Sequence, residues 1–122
     1  MIRKSKGLLS IASAVLITAS LSTSVALAEE KGSRMEEGKE LAFSRPKGNC
    51  LACHMIVGGV SPGNIAPPLI AMKSRFPDKQ ELREQISDAS KKNPETAMPL
   101  FGRYEILSND ELDKVVDYIH SL

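Results

Sequence analysis

Apolar residues recur at three- and four-residue intervals in two stretches, each preceded by a helix-starting pattern. Leu112, Val115, Val116, Ile119 and Leu122 form one stripe, behind Ser108 and Glu111 at capping-box spacing. Leu82, Ile86 and Ala89 form the other, behind Asp78 and Glu81 at the same spacing, and Asn93-Pro94 ends it. Residues 35–44 predict a third, shorter helix with Leu41, Ala42 and Phe43 as its apolar patch, stopped by Arg45-Pro46. Gly38 inside it costs roughly 1 kcal/mol relative to alanine, which points to a packing reason such as close approach of another helix. Residues 30–34 read as a polar lead-in that frays. The glycines and prolines of residues 58–68 exclude a long helix or a central strand, and residues 69–76 allow one short helical piece. Nothing alternates as a strand, and no internal repeat is visible. The expected class is all-α, about three main helices joined by loops.

The amino-terminal pattern is different in kind. Arg3, Lys4 and Lys6 precede residues 8–25, which carry no charge, and Ala26-Leu27-Ala28 places small residues where a signal peptidase reads them. Residues 1–28 are therefore expected to be a signal peptide cleaved before Glu29, with a retained membrane anchor as the alternative. Seven serines and threonines dilute the uncharged run and favour cleavage. The expected mature domain, residues 29–122, is exported and has no further span.

Removing the signal changes the electrostatic picture. The whole chain has a formal net charge of +1, but without Arg3, Lys4 and Lys6 the remaining 13 basic residues face 15 acidic ones. No clustered positive charge marks a nucleic-acid footprint. A domain this small buries only about 60–65% of its unfolded surface, and it has no Trp to fill a core. A bulky apolar cofactor would supply the missing mass.

Cys50-Leu51-Ala52-Cys53-His54 carries the chemistry. Two thiols at this spacing reach two vinyl groups of a porphyrin as thioethers, and the next histidine falls beneath the iron as an axial ligand. One covalent haem c is the expected cofactor. A Cys50–Cys53 disulfide is the redox alternative, but it expects a βαβ context, and Pro46-Lys47-Gly48-Asn49 is a loop. Zinc needs three or four ligands, and only His120 adds an obvious one.

His54 is expected to donate its Nδ1–H to a backbone carbonyl, with Pro67 as the candidate owner. For the opposite axial position the candidates are Met35, Met55, Met72, Met98 and His120. Met55 adjoins the proximal histidine. Met35 and Met72 sit in or near helical patterns, where Met usually fills a core, and His120 is expected to face solvent. Met98 precedes Pro99, which holds it in extended geometry suited to presenting a side chain across a face. It is the expected sixth ligand. Such a pair raises the reduction potential and leaves no open site, which points to outer-sphere electron transfer.

Gly38-Lys39-Glu40-Leu41-Ala42-Phe43, the Cys50 to His54 motif, Pro67-Pro68-Leu69, the Met98-Pro99 pair and the final amphipathic helix together resemble class I cytochromes c. That resemblance implies a fold in which the first and last helices cross, with Gly38 and Tyr118 near the crossing. More narrowly, residues 48–54, 63–69 and 93–102 resemble the SoxX family of monohaem subunits, and residues 106–112 continue the similarity. The likeness implies a periplasmic heterodimer with a SoxA-like cytochrome. The pair would act on a SoxYZ-type carrier, joining thiosulfate oxidatively to its cysteine, and electrons would pass on to a downstream acceptor. His54 and Met98 match that family's axial ligands. The catalytic cysteine of such an L-cysteine S-thiosulfotransferase belongs to the partner, so this chain is expected to hold no catalytic residue. A free monohaem shuttle to a terminal oxidase or other reductase is the alternative function, and a gas-binding haem protein of the cytochrome c′ kind is a third.

Overall fold

The computed structural model describes residues 19–122, with side-chain surroundings from residue 28. The expected signal features Arg3, Lys4 and Lys6 and most of the uncharged run lie outside the described residues. The chain divides into two units, Met1–Glu30 and Lys31–Leu122. Among the described residues every regular element is helical: α1 (Ala19–Phe43), α2 (Met72–Arg75), α3 (Lys79–Ser87) and α4 (Asn109–His120), with 3₁₀ turns at Cys50–Ala52 and Ala89–Lys91. None of these helices is long and apolar enough to cross a membrane.

The capping box at the start of α4 is complete. Ser108 Oγ accepts from the Glu111 N–H at 3.3 Å, and Glu111 Oε2 accepts from the Ser108 N–H at 2.8 Å. The stripe behind it is buried at Leu112, Val115, Val116, Tyr118 and Ile119. Each such burial contributes roughly 1.5–3 kcal/mol, which makes α4 the spine of the core. It meets Leu82 and Ile86 of α3, Met72 of α2, and Ile56, Leu69, Phe101 and Leu107 from the connecting loops. At α3 the N-cap forms but the box does not: Asp78 Oδ1 accepts from the Gln80 N–H at 2.8 Å, one residue short of Glu81, and Glu81 makes no return bond. At α4, by contrast, the return side chain is also steadied by Lys47, whose Nζ lies 2.9 Å from Glu111 Oε1.

Two helix boundaries differ from expectation. α3 stops at Ser87, where Asp88 turns the chain into the short 3₁₀ segment. The first helix begins well before residue 35, and residues 30–34 are helical where fraying was expected. Tertiary ion pairs supply the reason: Arg34 reaches Asp110 at 3.5 Å and Asp117 at 3.4 Å, both on α4. Ser33 adds a local bond to Glu37 at 3.1 Å. Periodicity within residues 30–34 carries no trace of partners some eighty residues away.

Lys31–Phe43 of α1 crosses α4 at Gly38. A Cβ there would overlap the Lys114 carbonyl and lie 3.1 Å from Tyr118 Cβ. Phe43 meets the Tyr118 ring edge-on, centroids 6.0 Å apart, and Lys114 bridges Glu37 and Asp110 at 2.7 Å each. These exposed pairs are worth little individually, so contact distance at Gly38 decides the crossing. Gly38→Ala therefore sets a helix-propensity gain of about 1 kcal/mol against an overpacking cost of about 1–3 kcal/mol where backbone cannot yield. Net destabilisation is expected, read as a lower urea midpoint by far-UV circular dichroism. A raised midpoint would show that the helices do not pack there.

Candidate haem site

The site begins where α1 ends. Gly48 N–H bonds Leu41 O at 3.0 Å and Asn49 N–H bonds Ser44 O at 3.0 Å, returning the chain against the helix end. Asn49 takes the left-handed conformation, φ 45° and ψ 34°, which an Asn tolerates better than most residues. That reversal launches the 3₁₀ turn Cys50–Ala52, and the His54 N–H closes it on Cys50 O at 2.9 Å. Both thiols and the imidazole thus project from one tight turn.

His54 Nδ1 lies 2.6 Å from Pro67 O, so with that nitrogen protonated it donates to the carbonyl and Nε2 is left for a metal. Pro67 is held in place by the loop around it, through Ala66 N–H to Cys53 O at 3.1 Å and Leu69 N–H to Met55 O at 2.9 Å. Met98 sits on the far loop, its N–H donating to Thr96 Oγ1 at 3.1 Å. Cys50, His54 and Met98 together line two contiguous cavities of about 420 and 390 Å³. Cys53 lines the second. The first is walled by Leu69, Leu82, Ile86, Val115 and Ile119.

The remaining axial candidates are placed elsewhere. His120 Nε2 is 3.0 Å from Phe76 O, a part-buried bond rather than the solvent-facing position expected for it. Met55 is half exposed, and Met35 is partly buried against the core. Met72 is fully buried and borders the larger cavity, with its sulfur 3.4 Å from Arg75 Nη1. Among the described methionines only Met98 lines both cavities with His54.

The surroundings also weigh the alternatives for the cysteines. Burial pushes the Cys50 thiol up to about 11, which suppresses the thiolate that disulfide exchange requires. No cluster of three His, Cys, Asp or Glu able to hold a metal ion exists among the described residues. A flat apolar group carrying its own metal suits the cavity volume, its aliphatic walls and the donor set of two thiols, one imidazole and one thioether. No buried side-chain nitrogen or oxygen among the described residues is left without a partner.

Some cavity residues escaped the sequence reading. Arg75 donates to Pro68 O at 2.8 Å and lines the larger cavity, and Gln85 and Asn93 join it. Nothing in the local pattern marks them. Thr96 was findable, since a threonine two residues before Met98 is the spacing of a hydroxyl-to-backbone turn.

Comparison with known proteins agrees with this geometry. No curated protein matches the chain. The crystal structure of SoxXA from P. pantotrophus is similar at a TM-score of 0.64 and 28% identity, over 70% of this chain and 79% of that one. Residues 33–119 match the family described as cytochrome C oxidase, cbb3-type, subunit III. The chain belongs to that cytochrome c family, and it is a SoxX-like monohaem cytochrome.

Proposed function

We propose that the protein is the electron-accepting subunit of a periplasmic SoxAX-type complex, exported and cleaved after Ala28, and active in thiosulfate oxidation. Cys50 and Cys53 would hold one haem c as thioethers, with His54 Nε2 and Met98 Sδ as axial ligands. When bound, that group supplies a one-electron couple. Pro67 O orients the His54 ring and increases its basicity. The Met98 thioether favours the reduced state, and the aliphatic side chains of the cavity suit an apolar macrocycle.

The observation that carries this reading is the meeting of Cys50, His54 and Met98 around one apolar space. Likeness to the SoxXA structure supports the narrower assignment. A SoxA-like cytochrome would then be the partner and a SoxYZ-type carrier the substrate, with a further acceptor downstream. The family match to an oxidase subunit favours one second reading, a free shuttle serving a terminal oxidase.

Affinity capture of the tagged mature protein from cells grown on thiosulfate separates the two. Co-purification of a second haem-staining polypeptide, identified by mass spectrometry as a SoxA-type cytochrome, is expected. Recovery of the monomer alone, with thiosulfate oxidation intact in a deletion strain, would favour the shuttle.

A further inference from the structure

Met98 is carried on a loop whose two limbs meet at the end of α3. Ser87, the last residue of α3, accepts two N–H groups from beyond the loop through one carbonyl: Gly102 at 3.0 Å and Arg103 at 3.2 Å. The next residue, Asp88, ties both limbs with its side chain. Its Oδ1 accepts from the Ser90 N–H at 3.2 Å and from the Ser90 hydroxyl, and its Oδ2 faces Arg103 Nη1 at 3.6 Å. Arg103 Nη1 also reaches Ser90 Oγ at 3.3 Å. The Asp88 side chain is only 13% exposed, although Arg103 is 56% exposed. The limbs are also unusually close, because a Cβ on Gly102 would run into the Ser87 side chain.

Inside the loop the polar bonds are short-range. Glu95 N–H reaches Asn93 Oδ1 at 3.2 Å, Thr96 N–H reaches Asn93 O at 3.1 Å, and Met98 N–H reaches Thr96 Oγ1 at 3.1 Å. They shape the tip and do not anchor it to the rest of the fold. Leu100 and Phe101 are buried and give depth, but apolar contact is non-directional. Direction comes from the neck.

We propose that Asp88 is a positioning residue for the Met98 thioether, closing the neck of this loop through Ser90 and Arg103 so that Met98 stays against the cavity. The inference rests on the reading of Met98 as an axial haem ligand. A neutral thioether is held in place largely because its loop is already closed, and opening the neck restores loop entropy and populates a Met98-off state. The Ser90 hydroxyl bond, with Arg103 adding, keeps the Asp88 carboxyl below its ordinary value, so it is ionised at neutral pH. Apparent affinity for an external ligand scales with the fraction of protein in which Met98 has left, which makes that population measurable.

The test titrates imidazole into the oxidised holoprotein for wild type, Asp88→Ala, Arg103→Gln and Met98→Ala, following helix content by far-UV circular dichroism in parallel. Asp88→Ala, which loses both the Ser90 and the Arg103 contacts, is expected to bind imidazole roughly tenfold more tightly than wild type, and Arg103→Gln, which loses one exposed contact, about two- to fivefold more tightly. Arg103 is exposed, so its variant folds even if Asp88→Ala does not. Tight binding by Met98→Ala with wild-type affinity in both neck variants would overturn the proposal while leaving the ligand assignment intact. A lowered helix midpoint with unchanged imidazole affinity would also overturn it, since a purely structural role gives that result. Wild-type affinity in Met98→Ala itself would overturn the ligand assignment and the proposal together.

Discussion

Met98→Ala is expected to abolish the sulfur-to-iron charge-transfer absorbance of the oxidised protein and to lower its reduction potential by on the order of 0.1 V. Axial ligands set haem potentials over a range of about 0.8 V, and a thioether lies on the side that favours the reduced state. On the proposed assignment, its removal would leave His54 as the sole protein ligand. The reduced variant should accordingly bind carbon monoxide rapidly, where the wild type binds it slowly. The competing assignment is Met72, which also borders the larger cavity. Its sulfur already faces Arg75 Nη1 at 3.4 Å, and the side chain is fully buried among core residues. Met72→Leu should therefore keep the absorbance and cost less than about 1.5 kcal/mol as a volume-conserving swap. An unchanged spectrum in Met98→Ala, with loss in Met72→Leu, would reverse the two roles.

What could be read ahead of the structure was whatever physical chemistry writes locally. The Ser108–Glu111 box and the stripe from Leu112 to Ile119 are spaced by the helix itself, and α4 forms where they place it. The Cys50–Cys53–His54 spacing is set by the reach of three side chains from one turn, so a tight 3₁₀ turn is its natural carrier. The helical state of residues 30–34 was illegible because Arg34 reaches Asp110 and Asp117, residues of another helix. The cap at Asp78 shows the converse: the spacing marks where α3 starts, but the side chain bonds Gln80 and the box with Glu81 does not form. Most hidden of all was the neck of the Met98 loop. Ser87, Asp88, Gly102 and Arg103 follow no periodicity, and their meeting is a consequence of where α3 happens to stop.

Replacing Cys50 and Cys53 together with alanine should give a polypeptide that loses all haem on acid-acetone extraction and has little fixed tertiary structure. The chemistry follows from the proposed attachment: with neither sulfur present no thioether can form, and His54 and Met98 alone would hold the group, by coordination bonds that acid breaks. The energetic consequence comes from where the group sits. The larger cavity of about 420 Å³ is walled by Leu82, Ile86, Val115 and Ile119, the same residues that join α3 to α4. Left unfilled, that space deprives those side chains of the apolar contacts that would otherwise join the two helices. Partial collapse of the walls recovers some of this, but small domains have only about 5–15 kcal/mol in total. The double variant should thus keep part of its helix signal in the far ultraviolet while losing a cooperative unfolding transition. Each single variant retains one thioether and should keep its haem through extraction at reduced yield. Intact mass decides between attachment and redox chemistry for the wild-type pair. An adduct of one tetrapyrrole is expected, whereas a mass two hydrogens below the bare polypeptide would mean that Cys50 and Cys53 form a disulfide and that the cavity serves some other ligand.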